Sequence, residues 1–220
     1  MDHKLTYNRF TKSEAFPTWS LEDMSLAMEL LRTDPLYPRL PETRAHELAE
    51  LALNVGAGNA TELVKMCDCS EPLRLSRMMK IRVLFDISLS YKADSLGVLS
   101  SYSPKPPTIT VYENRLRLFR EKLPKKDKTG RVFLSNLTNI CVAHEIYHHI
   151  ERQTFCFMNL AYKIPIVDFK LFRIEKSMTV LSEIAAHAFA MKLMDLPRLP
   201  CIIHEEFNGR NWDRWHQEDK

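Results

Sequence analysis

The five residues His144-Glu145-Ile146-Tyr147-His148 constrain this chain more than any other stretch. Two histidines four residues apart come close enough to share one ion when the backbone between them is helical, one turn apart on one face. Glu145 then lies roughly 100° round the helix from His144. That is near enough to reach a water on an ion held by the imidazoles, but it is not a ligand direction. The pattern asks for a helix packed against another element that carries a third ligand, with one coordination position left open.

H-E-x-x-H is the spacing used by zinc peptidases. The chain carries two decoys, His46-Glu47-Leu48-Ala49-Glu50 and His204-Glu205-Glu206-Phe207-Asn208, which begin alike and lack the second histidine. The bland alternative at 144–148 is an amphipathic helix with satisfied histidines, so a third ligand has to be found.

Composition narrows the setting. A chain of 220 residues suits one domain, or one domain with an N-terminal extension, and 45% hydrophobic residues can fill its core. A net charge of +3 is too small to argue for nucleic acid. No apolar run approaches the roughly 20 residues of a membrane span, and residues 1–7 lack the apolar core of a secretory signal. Cys67, Cys69, Cys141, Cys156 and Cys201 are odd in number with no C-x-x-C pair, which predicts reduced thiols and a cytoplasmic protein.

Taken in order, residues 1–19 read as a loosely docked arm. Ser20 with Asp23 is a capping-box-like start to a helix ending near Thr33, before Pro35. Pro41 opens a second helix with an apolar stripe of Ala45, Leu48, Leu51, Ala52 and Val55, expected to stop at Gly56 or Gly58. Thr61 and Glu62 open a short third. Residues 81–87, 97–102 and 108–112 then read as strands of a small, mostly antiparallel sheet.

The basic run 115–131 suggests a short helix through Leu116, Phe119 and Leu123, followed by a solvated loop. Glu121 and Asp127 interrupt it, and DNA binding is the weaker reading. Ser135 or Asn136 can cap the metal helix, which runs to about Gln153. Residues 155–170 are apolar and irregular, a candidate wall of the site. A last helix over 175–194 is apolar on all sides, so Glu183 inside it asks for a compensating partner. Residues 201–220 read as a polar tail, docked in part by Trp212 and Trp215.

Glu183-Ile184-Ala185-Ala186-His187-Ala188-Phe189-Ala190 resembles the E-x-x-A-[ND]-x-F-A signature of the ImmA/IrrE family of metallopeptidases, which follows the H-E-x-x-H helix in the same order. The resemblance covers roughly 63–197. It implies an α+β fold: a zincin-like domain over 61–200, its small sheet packed on the H-E-x-x-H helix. Helices within 1–60 precede that domain, packed on its core, and the tail follows.

The resemblance also implies one zinc ion on His144, His148 and Glu183, with Glu145 as the catalytic carboxylate. His187, four residues after Glu183, can face the same ion, but it stands where the signature has Asn or Asp. There the resemblance implies a side chain that hydrogen-bonds a ligand imidazole from behind. The usual L-L-M-P ending reads Leu193-Met194-Asp195-Leu196-Pro197.

The function implied is that of a zinc-dependent intracellular endopeptidase. Its partner is a protein substrate, often a helix-turn-helix repressor in stress response or mobile-element control, with no direct contact to nucleic acid or membrane. The alternative is an inactive regulatory or protein-binding module on the same fold. His187, His149 and residues 155–170 are open as sources of an oxyanion donor, whereas Tyr147 lies roughly 80° from the metal face.

Overall fold

The structure, a computed structural model, describes residues 19–88, 98–122, 128–153, 163–169 and 172–200. It describes side chains for all of these except 121, 122, 128–135, 163–169 and 172–175. The expected arm, apart from Trp19, and the tail with Trp212 and Trp215 lie outside the described residues, as do Cys156 and Cys201.

The fold is α+β. Helix α1 spans Leu21–Leu31 and is capped as expected: Ser20 Oγ accepts from the Asp23 backbone N–H at 3.0 Å and donates to Asp23 Oδ2 at 2.6 Å. Asp23 Oδ1 accepts from the Leu199 N–H at 2.9 Å, tying the segment near residue 199 to the start of α1. After a 3-10 turn at Tyr37–Arg39, helix α2 runs Glu42–Cys67, with Pro41 at its N-cap.

Helix α2 does not stop at Gly56 or Gly58, and the expected third helix is its last turns. It also runs unbroken across residues 60 and 61, where the domain boundary was expected. The glycines serve packing instead. A Cβ on Gly56 would stand 2.0 Å from the carbonyl oxygen of Ala185, in the last long helix. Backbones this close exclude a side chain, so glycine stands here despite a helix cost of about 1 kcal/mol. Helix α3, Pro72–Met78, was not anticipated; it starts on Pro72, which suits a first turn.

Strands β1 (Arg82–Asp86), β2 (Ser100–Pro104) and β3 (Pro107–Tyr112) form a sheet in the order β1-β3-β2. It is mixed, not mostly antiparallel: β2 pairs antiparallel with β3, and β1 pairs parallel with it. Alternation reveals strands but not their order. β2 starts from the end of the sheet where β1 finishes and leaves a strand-wide gap, which β3 fills.

Helix α4 (Glu113–Lys122) buries Leu116 and Phe119. Two arginines of the basic run turn inward instead of forming a solvated face. Arg115 donates to the Val98 carbonyl and lies over the Tyr112 ring, 4.5 Å from its centroid. Arg120 donates to Thr138 Oγ1 at 3.3 Å.

Helix α5 is Lys128–Gln153 and begins well before Ser135, since nothing from Val132 to Leu134 breaks the helical run. Strands β4 (Lys163–Phe169) and β5 (Phe172–Ser177) form an antiparallel hairpin where an irregular wall was expected. The register shifts between Pro165 and Val167, a bulge that accommodates a proline without an amide donor. Helix α6 is accordingly shorter than expected, Val180–Met194, with residues 175–177 in β5.

The layers follow from the apolar faces. Ile109 and Val111 of β3 are fully buried on the side that meets α5, whose other side packs on α6. Helix α6 is covered in turn by α2, and α1 packs on both. Ala185, Ala186, Ala188 and Ala190 are small enough to let α6 sit between two long helices.

Candidate metal centre

α5 and α6 bring three side chains to one point. His144 Nε2 lies 3.1 Å from Glu183 Oε2 and 3.1 Å from His148 Nε2, and His148 Nε2 lies 3.6 Å from Glu183 Oε1. Metal bonds of about 2.0–2.1 Å at tetrahedral angles set donor atoms roughly 3.3–3.4 Å apart. The observed separations bracket that value. His144, His148 and Glu183 are the group of donors among the described residues that could hold a metal ion, and two imidazoles with a carboxylate suit zinc.

Glu183 is not sunk in the core. Its side chain is 33% exposed, on the border of α6 that faces α5, while nearly every other residue of that helix is buried. Glu183 is therefore not the buried carboxylate expected from the apolar helix: the neighbouring imidazoles, more than burial, explain an acid there. His187, by contrast, is 1% exposed, and its ring packs on that of His144 with centroids 4.8 Å apart. It lies against a member of the cluster and is not part of it.

Glu145 is not one of the three donors; it is 6% exposed, and its charge is near enough to help raise His148. Ser100 Oγ of β2 donates to its Oε1 at 2.8 Å. Two residues along the same strand face, the Tyr102 hydroxyl lies 2.7 Å from His149 Nδ1. Glu145 and His149 are four apart on α5, so two hydroxyls of one strand face meet two polar groups of one helix face.

His187 and His149, both left open as oxyanion donors, are thereby withdrawn. One is packed in the interior, and the other is 6% exposed and held by Tyr102. Tyr147 is fully buried, its ring 5.8 Å from that of Phe189.

A further pair lies behind His148. Ser182 Oγ donates to Glu151 Oε2 at 2.6 Å and stands 3.4 Å from His148 Nδ1, with Glu151 Oε2 3.7 Å from the same nitrogen. Burial pulls the His148 imidazolium down, but Glu151, Glu183 and Glu145 outweigh it and hold His148 above the usual histidine value. Burial lowers His149. Burial, with Glu145 nearby, pushes the Cys141 thiol up to about 12.

Ser100, Tyr102, Glu151 and Ser182 were not anticipated. Glu151 was readable as an acid one helical turn beyond His148. Ser100 and Tyr102 need the pairing of β2 with α5, which no local pattern shows.

No helix among the described residues is long and apolar enough to cross a membrane. Comparison with family models, with curated proteins and with solved structures finds no match to this chain.

Proposed function

We propose that this chain is a zinc-dependent endopeptidase of the zincin type, acting on a protein substrate in the cytoplasm. One observation carries the reading. Three donors converge at metal-ligand spacing, and the carboxylate between the two histidines stands outside that group with its own anchor, a hydrogen bond from Ser100. A merely structural site has no use for a nearby, separately anchored carboxylate.

His144, His148 and Glu183 are the residues to hold the ion. Zinc bound there supplies a water of lowered pKa and polarises a carbonyl oxygen. Glu145 handles the proton. With Oε1 held by Ser100, Oε2 takes a proton from the attacking water and delivers it to the departing amine nitrogen. The Ser100 hydroxyl fixes the plane of the carboxylate, so no reorientation is needed at the moment of transfer. His187, packed against His144, restricts the swing of that imidazole.

The resemblance at 183–190 to the ImmA/IrrE signature supports the peptidase reading and puts a helix-turn-helix repressor first among substrates. Glu145→Gln tests it. Zinc content should stay near that of the parent protein, while peptide hydrolysis falls by at least roughly 10²-fold, the low end for general-base catalysis. Zinc binding with no hydrolysis in the parent, against any repressor or unfolded protein offered, would instead favour a regulatory module. The Glu145→Gln protein is also the variant with which to capture the substrate.

A further inference from the structure

We propose that Glu151 and Ser182 form a positioning relay that keeps His148 in its Nδ1–H tautomer and so presents its Nε2 lone pair to the metal. The proposal rests on the metal centre argued above and concerns two residues that the peptidase reading does not use.

The number of protons available fixes which way each of these bonds runs. A serine hydroxyl has one hydrogen to donate and lone pairs to accept with, and an ionised carboxylate only accepts. At 2.6 Å, the Ser182 hydrogen is committed to Glu151 Oε2. What Ser182 offers His148 Nδ1, 3.4 Å away, is therefore a lone pair. Glu151, 3.7 Å from that nitrogen, adds negative charge on the same side. Both neighbours favour a proton on Nδ1. In a neutral ring, a proton on Nδ1 leaves Nε2 bare, and Nε2 is the atom turned toward His144 and Glu183.

Glu151 is 5% exposed and Ser182 also 5%, so water does not compete with the relay. The two come from α5 and α6, the helices that supply the ligands. Glu151 follows His148 by one turn, and Ser182 immediately precedes Glu183. Correct packing of α6 on α5 thus sets the ligand cluster and its tautomer together.

The relay makes a prediction that bulk packing does not. In Glu151→Leu the Ser182 hydrogen loses its acceptor and turns to His148 Nδ1, which moves the ring proton to Nε2 and blocks the metal. Zinc affinity, read by competition with a chromophoric chelator, should fall by roughly 10- to 100-fold, the range for residues that orient a ligand. Adding Ser182→Ala removes the misdirected donor, so the double variant should bind zinc more tightly than Glu151→Leu alone. A purely structural role predicts the reverse, two losses that accumulate.

Independently, long-range proton–nitrogen NMR correlations in the metal-free parent, at a pH where His148 is neutral, should show the Nδ1–H form. An Nε2–H ring there, unchanged zinc affinity in Glu151→Leu, or a double variant no tighter than the single one overturns the relay. The NMR measurement decides even if the leucine variant does not fold. A parent protein that takes up no zinc sinks the metal centre instead, and the tautomer still judges the relay.

Discussion

Adding one methyl group at Gly56 should destabilise this protein, and adding one at Gly58 should stabilise it. Both residues lie inside α2, so alanine gains about 1 kcal/mol of intrinsic helix preference at either. At Gly58 nothing lies within 4 Å of the new Cβ, and the gain stands alone. At Gly56 the Cβ meets Ala185 O at 2.0 Å, Ala185 C at 2.8 Å and Ala185 Cα at 3.0 Å. All three are backbone atoms, and no rotamer change relieves them. Restoring an ordinary contact of 3.4 Å from 2.0 Å requires α2 and α6 to separate by 1.4 Å.

Overpacking a close-packed interface costs about 1–3 kcal/mol, sometimes more, and a clash with backbone belongs at the upper end. Set against the helix gain, Gly56→Ala should lose about 1–2 kcal/mol net. For a chain of this size 1 kcal/mol moves Tm by roughly 2–4 °C. Gly58→Ala should thus melt about 2–4 °C higher than the parent, and Gly56→Ala about 2–8 °C lower. Ala185 lies two residues after Glu183, so the displaced α6 should also weaken zinc binding in Gly56→Ala and leave it unchanged in Gly58→Ala. Thermal melts of the metal-free proteins, followed by circular dichroism, read the first effect; chelator competition reads the second. If Gly56→Ala proves as stable as Gly58→Ala, the close approach of α2 to Ala185 is wrong, and with it the account of how α6 is held.

Glu183→Ala should abolish stable zinc binding, whereas His187→Ala, which removes a ring packed on His144 and none of the three donors, should weaken it without abolishing it; the reverse order would make the site a three-histidine one. The metal-free protein should be most stable near the ordinary histidine pKa, for two opposed reasons. His148 is raised in the fold, so its contribution is fully present below about 6.5 and is lost as pH rises through the higher folded value. His149 is lowered, so its contribution is present above about 6.5 and is lost as pH falls toward the depressed folded value. Urea midpoints of chelator-treated protein across pH 5 to 9 test this, and a His148→Gln variant should lose the decline on the alkaline side. Cys141, with its thiol pushed up to about 12, should resist alkylation in the native state at pH 8 and react only after unfolding, which mass spectrometry of labelled peptides would show.

What was legible in this sequence was whatever repeats within one element. The i, i+4 histidines on α5, the Ser20 cap of α1 and the alternation in β3 are each set by local pattern, and each is where that pattern puts it. What was not legible belongs to pairs of elements. Gly56 reads as a helix stop because, taken alone, a glycine weakens a helix; only Ala185, far along the chain, explains why it is tolerated. Residues 175–177 read as helix because they adjoin one, and only pairing with 163–165 makes them strand. Glu183 and His187 were equivalent by spacing, four residues apart on one helix. They separate only once α6 is laid against α5, which turns Glu183 toward both histidines and leaves His187 behind His144. The same contact brings Ser182 to Glu151. A metal site of this kind is therefore a property of the α5–α6 interface more than of either helix, and whatever displaces α6, from the α2 side at Gly56 above all, reaches the ligands without touching them.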